Sequence, residues 1–340
     1  MSVSAPGGKT YPWLVADIGG TNARFGWVQD DSLVVTHVRK LPVKAYAGPS
    51  DAVNAYLAEI STLMGSAYEA PHKAAFAVAT AVTGDEIAFT NSEWRFSRRA
   101  VQGDLHLDTL LVLNDFEALA LSLPLLRESQ VRAHGPMPTA NGTLAVIGPG
   151  TGLGVAGMVQ TRGQWLALPG EGGHATLAAH DDFEADLLRI LRRSFAHVSA
   201  ERVLSGIGLP LLHSAVASML GRVPETPDAK AIVERALAGD DACDRTIDLF
   251  CGFLGGFAGN VALTLGARGG VYIGGGIVPR LGERFFNSKF RERFEAKGRL
   301  TDYLKSIPTA VITDTQAALG GAALAIERAA TGADAFAAFR

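Results

Sequence analysis

The chain has 340 residues, 48% of them hydrophobic and 19% charged, with a formal net charge of −3. This length favours two lobes over one, and the near-neutral charge gives no electrostatic basis for binding nucleic acid or an anionic membrane. Cys243 and Cys251 lie in an apolar run without metal-ligand spacing, which predicts buried thiols in a reducing compartment. The opening MSVSAPGGKT lacks the apolar stretch of a signal peptide. Residues 247–265 are apolar but carry Asp248, Asn260 and several glycines, so they read as a core helix and not a membrane span. Together these features predict a cytoplasmic protein.

Residues 14–16, Leu-Val-Ala, read as a short buried strand ending in Asp17. Gly19, Gly20, Thr21 and Asn22 form a turn, and residues 25–28 and 33–38 read as two further strands. Glycines let a turn approach a ligand and take positive φ, and converging N–H groups suit a phosphate. The spacing fits neither the strand–GxxxxGK[ST]–helix loop nor GxGxxG, because a strand follows. An ordinary hairpin is the alternative. Ser50 or Asp51 reads as the N-cap of a helix that runs to about Met64 and stops at Gly65. Strands are expected over 74–79 and 87–90, followed by the polar-aromatic Glu93-Trp94-Arg95-Phe96, and over 110–113 before Asn114-Asp115. A short helix then stops at Pro124.

A similar device opens the second half. Residues 144–147 predict a strand, 148–154 a Gly/Thr turn and 155–159 another strand, which reads as a weak internal repeat. A strand over 165–168 leads to the loop Pro169-Gly170-Glu171-Gly172-Gly173-His174. Asp181 with Glu184 fits a capping box ahead of an apolar face of Phe183, Leu187, Ile190, Leu191 and Phe195. Asp228 opens a helix that ends at Gly239. Residues 271–273 form a strand running into Gly274-Gly275-Gly276, and 310–312 a last strand. Thr313 with Gln316 again fits a capping box before a small-residue helix over 315–329.

Three glycine turns at three strand ends point to a bound nucleotide. Gly19-Gly20-Thr21 and Gly150-Thr151-Gly152 supply hydroxyls and N–H groups for phosphates, whereas Gly274-Gly275-Gly276 suits a flat base and ribose. Asp17 is positioned to hold Mg²⁺ through water or to cap its turn. Asp115 is positioned to accept a proton from a substrate hydroxyl or to cap a helix. Glu171 and His174 can pair with the hydroxyls of a polyol, and Glu201 can add another contact or serve as a solvated helix-start acid. A metal site of Glu171, His174 and His180 is disfavoured, because no zinc spacing is present. Trp94 and Phe96 either line a sugar or belong to the core.

LVADIGGTNARF, LNDFEALALSLP, GPGTGLGVAG, LPGEGGHATLA, ERVLSGIGLP and YIGGGIVPRL together resemble the bacterial glucokinases. These are hexose kinases of the actin, hexokinase and heat-shock ATPase superfamily. The resemblance spans about residues 14–329, with six motifs in the family's order. It implies an α/β, two-lobed actin/hexokinase-like (ribonuclease H-like) fold with a nucleotide cleft between lobes. Residues 11–114 plus 314–335 would form the small lobe and 115–313 the large one. ATP phosphates would lie on Ala16, Asp17, Ile18, Gly19, Gly20 and Thr21 and on Gly150, Thr151 and Gly152, with adenosine near Gly274, Gly275 and Gly276. Asp115 would be the base for the primary hydroxyl of glucose, Asn114, Glu171, His174 and Glu201 would hold the other hydroxyls, and Asp17 would serve Mg²⁺. The likeness also implies a cytoplasmic homodimer.

Two departures stand out. Thr80-Ala81 occupies the place where the family often has Gly-Pro before Val82. Two cysteines are too few for the zinc motif of the related repressor-and-kinase group. Kinases of other hexoses or of N-acetylated hexosamines, and a non-catalytic sugar sensor, are the competing expectations, because fold alone does not decide function.

Overall fold

The computed structural model describes residues 10–89, 93–139, 141–161, 163–223 and 225–331. It divides into two compact units. Among the described residues, one holds those of 10–126, 163–167 and 315–331, and the other those of 127–161 and 168–314.

The first unit carries strands β1 (Trp13–Ile18), β2 (Asn22–Val28), β3 (Val35–Pro42), β4 (Lys73–Val78), β5 (Glu86–Ala88), β6 (Arg95–Ser97) and β7 (Thr109–Asn114). Five of them form one sheet in the order β3-β2-β1-β4-β7. The meander β1–β2–β3 is antiparallel, and β4 and β7 then add in parallel. Strand β4 is buried along its whole length, as a parallel strand covered on both faces should be. The register aligns Ile18 with Val78, and Val78 with Asn114. The carboxyl ends of β1, β4 and β7 therefore share one edge, where open α/β sheets commonly bind ligands.

Helix α1 (Pro49–Met64) begins one residue before the expected caps, because Pro49 occupies its first turn and Gly48 its N-cap position. Gly65 ends it, with φ 55°. Helix α2 (Arg98–Asp104) is capped by the Ser97 side chain. Helix α3 (Asp115–Ser122) starts directly after β7. Trp94 and Phe96 belong to the core of this unit, 4% and 7% exposed. The Trp94 indole donates to the Tyr46 carbonyl at 3.1 Å, so the sugar-lining alternative for these rings is set aside.

A second sheet holds β8 (Val131–His134), β9 (Leu144–Pro149), β10 (Leu153–Thr161), β11 (Gln164–Gly170), β12 (Gly270–Ile273) and β13 (Thr309–Ile312), in the order β11-β10-β9-β12-β13-β8, and all of it falls in the second unit except residues 164–167 of β11. Strands β9 and β10 form an antiparallel hairpin, and β12 and β13 add in parallel. This repeats the hairpin-then-parallel arrangement of β1, β2, β4 and β7. The helices of the second unit are α4 (Asp182–Leu191), α5 (Gly208–Met219), α6 (Ala229–Leu237), α7 (Asp241–Leu265), α8 (Val278–Leu281), α9 (Glu283–Phe286), α10 (Phe290–Glu295) and α11 (Thr301–Lys305). Asp181, Asp228 and Asp240 accept N–H bonds as the N-caps of α4, α6 and α7. Among the described residues, α7 alone is long and apolar enough to cross a membrane. However, 78% of its apolar window is buried inside the protein, as in a core helix. Both cysteines are free and buried, and burial pushes the Cys251 thiol up to about 12.

The capping box expected at α4 forms only in part. Asp181 caps the Glu184 N–H at 2.8 Å. The Glu184 carboxylate instead accepts from the His180 N–H at 2.8 Å and from Arg293 of α10 at 2.7 Å.

Helix α12 (Ala317–Ala330) returns to the first unit and packs on α3. A Cβ at Gly321 would overlap the Ala118 carbonyl, so this close helix contact requires glycine. The box expected from Thr313 and Gln316 does not form. The Thr313 N–H donates to the Gln130 carbonyl at 2.9 Å, and α12 starts later without a side-chain cap.

Candidate active site

In the first unit, Asp17 lies near the end of β1 opposite Arg24 of β2. The Arg24 guanidinium donates to Asp17 Oδ2 at 3.0 Å. Burial pushes the Asp17 carboxyl above its ordinary value, and the arginine pulls part of that shift back. The following turn is closed by the Gly19 N–H donating to the Asn22 carbonyl at 3.0 Å. The expected positive φ is absent at Gly19 and Gly20. A hairpin with this internal bond turns without left-handed backbone, and a Cβ at Gly19 would make only an ordinary contact with the Asn22 carbonyl.

On the same sheet edge, Asn114 is the N-cap of α3 and Asp115 its first residue. Asn114 Oδ1 accepts from the Phe116 N–H at 2.9 Å, and its amide donates to the Thr80 carbonyl at 3.1 Å. The cap role raised for Asp115 thus falls to its neighbour. Asp115 Oδ1 also receives the Phe116 N–H at 2.9 Å. Thr80 is fixed in turn by its hydroxyl, which donates to the Ala88 carbonyl at 2.9 Å. These bonds join the ends of β4 and β7 around Asn114-Asp115, and sequence reading had not anticipated that role for Thr80.

In the second unit, Ile147 of β9 is paired with Ile273 of β12, which brings the Gly150 and Gly274 turns to one edge. Gly274 donates to Ile147 at 2.8 Å. Of the three turns, only Gly275 takes a positive φ, 77°, and a Cβ there would overlap the Pro149 carbonyl. The Gly150 N–H donates to the Gly152 carbonyl at 2.9 Å, and Gly206 donates to the Gly150 carbonyl at 2.7 Å.

The loop after β11 presents Glu171 and His174 on the surface around a short 3₁₀ turn, Gly172–His174. A β-bridge between Thr176 and Ser199 brings Glu201 to this loop. The Glu201 N–H donates to the Gly173 carbonyl at 2.8 Å. Glu201 Oε1 lies 3.9 Å from His174 Nε2, and Glu201 Oε2 accepts from the Leu153 N–H at 2.9 Å. His174 and Glu201 thus form one patch with both donor and acceptor capacity.

Among the described residues, no three His, Cys, Asp or Glu side chains are gathered as a metal site, which removes the Glu171–His174–His180 alternative. Mg²⁺ bound with a nucleotide keeps several waters and takes one or two carboxylates plus phosphates. A single hard oxygen donor such as Asp17 fits that requirement.

Residues 14–329 match the family model described as Glucokinase. The chain is 47% identical over 325 residues to the Glucokinase of Aromatoleum aromaticum, covering 95% of this chain and 97% of that one. It is 46% identical to the Bifunctional protein glk of Burkholderia orbicola, over 93% of this chain but only about half, 49%, of that longer protein. The crystal structure of a glucokinase from an Antarctic psychrotroph superposes with a TM-score of 0.84 at 37% identity, over 93% of this chain and 99% of that one. The fold is the α/β, two-lobed actin/hexokinase-like fold, and the chain belongs to the glucokinase family.

Proposed function

We propose that the chain transfers the γ-phosphoryl group of ATP to the primary hydroxyl of D-glucose, giving D-glucose 6-phosphate and ADP. Together with family membership, the main support is the shared edge of β1, β4 and β7. It puts Asp17, its glycine turn and Asn114-Asp115 at the carboxyl ends of two strands of one sheet, with β4 between them.

Asp115 acts as general base and takes the hydroxyl proton as that oxygen attacks the γ-phosphorus. The new P–O bond forms as the bond to the β,γ-bridging oxygen breaks, and ADP leaves with that electron pair. Asn114, Glu171, His174 and Glu201 hold the remaining sugar hydroxyls. The N–H groups and hydroxyls of Ala16–Thr21 and Gly150–Gly152 cradle phosphates, and Gly274–Gly276 lies against the nucleoside. Asp17 would hold Mg²⁺, which would supply neutralisation of phosphate charge. Arg24 holds the Asp17 side chain in place through its bond to Oδ2. The protein works in the cytoplasm, in keeping with its buried free thiols, and as a homodimer, as the family likeness suggests.

The discriminating experiment is an acceptor panel with Mg-ATP. Glucose should give the highest kcat/KM, with mannose and N-acetylglucosamine at least tenfold lower, because unpaired polar groups penalise an altered hydroxyl pattern. A different preferred acceptor would reassign the sugar. Sugar binding without turnover on any acceptor would favour a sensor.

A further inference from the structure

Glu201 touches more than the proposed sugar loop. Its backbone N–H holds the Gly173 carbonyl at 2.8 Å. One carboxylate oxygen faces His174, and the other accepts the Leu153 N–H, directly after the Gly150-Thr151-Gly152 turn. The two segments are also packed without a gap. A Cβ at Gly173 would overlap the Leu153 carbonyl, and one at Gly152 would lie 2.5 Å from Glu201 Oε2. The far side of the turn is held by Gly206, only five residues beyond Glu201, through its bond to the Gly150 carbonyl. A charged acceptor on a backbone N–H makes a stronger bond than a neutral one.

We infer that Glu201 is a positioning residue that latches the phosphate turn to the sugar loop, so that sugar and nucleotide affinities are coupled through one carboxylate. The inference rests on the reading of Gly150–Gly152 as a phosphate site. The Leu153 bond joins two groups of the protein itself, so the latch orders the turn without a sugar atom in it. A sugar hydroxyl bound between His174 and Oε1 restricts the same carboxylate and orders it further. By linkage, the nucleotide must then tighten the sugar by the same factor.

The test is the Kd of Mg-AMP-PNP by calorimetry, with and without glucose. In the wild type, glucose should tighten the nucleotide about fivefold or more. Glu201→Met keeps the side-chain length but removes the acceptor. It should weaken sugar-free nucleotide binding about fivefold and abolish the effect of glucose. Glu201→Gln retains an acceptor for Leu153 and should restore sugar-free nucleotide affinity to within about twofold of wild type, even where its glucose affinity falls. A residue that only holds sugar would leave the sugar-free nucleotide Kd unchanged in Glu201→Met, and that result would overturn the latch alone. A wild-type protein that binds no Mg-AMP-PNP would overturn the phosphate site and the latch together. Hydrogen exchange of the wild-type Leu153 amide is independent of variant folding. Protection that rises with glucose supports the latch, and an unprotected amide contradicts it.

Discussion

Asp115→Asn is expected to lower kcat by about two to four orders of magnitude, the usual worth of a positioned general base. The amide is isosteric but cannot take the hydroxyl proton. The fold should hold, because the Asn114 cap bond to the Phe116 N–H survives the change. What is lost structurally is a negative charge at the start of α3, worth about 0.3–1 kcal/mol. Glucose KM should move only a few-fold, since the other proposed sugar ligands are untouched. Coupled-assay kinetics and a thermal melt on the same preparation check both halves. Near wild-type turnover in Asp115→Asn would remove the base from this residue.

Arg293→Met is expected to destabilise the second unit by about 3–5 kcal/mol. Arg293 and Glu184 are 8% and 2% exposed, and their ion pair spans 2.7 Å between α10 and α4. Without the arginine, a buried carboxylate keeps only its bond from the His180 N–H. Removing both charges, as Glu184→Leu with Arg293→Met, should recover more than half of that loss, because no buried charge is then left unpaired. Arg293 Nε is buried without a partner, so the native pair already carries an uncompensated polar group. Denaturant midpoints compare the variants, and an Arg293→Met protein within about 1 kcal/mol of wild type would mean that water reaches the site.

The buried strands whose ends carry the candidate site could be read directly from the sequence. Short apolar runs bounded by Gly, Asn and Asp leave few alternatives, and β1, β4, β7, β9 and β12 lie within a residue or two of their expected positions. Elements specified by distant partners were not visible. Val-Arg-Ala-His of β8 has little apolar character and is a strand only because β13 pairs with it. Helix α5 went unread, although its pattern is strongly apolar, because glycine and proline at its start resemble a loop. Thr313 and Gln316 have capping-box spacing, but Gln130 claims the Thr313 N–H. Glu184 likewise has the right spacing, yet a buried arginine over one hundred residues away draws its carboxylate aside.

The same division holds for the site. Residue types and spacing singled out Asp17, Asn114, Asp115, Glu171 and His174. They carried no sign of Arg24 across the hairpin from Asp17, of Thr80 under Asn114, or of the Glu201 bond to Leu153. Each of these depends on strand register or a bridge between segments far apart in sequence. The Asp17–Arg24 pairing could have been found by counting β1–β2 register outward from the Gly19 turn.

Glucose-dependent phosphoryl transfer is tested by ADP formation by the purified protein with Mg-ATP, with and without D-glucose, together with identification of the sugar product. Negligible ADP is expected without sugar, and with it one D-glucose 6-phosphate for each ADP formed. ADP release at the same rate with and without glucose, or a glucose phosphate substituted at another carbon, would contradict it.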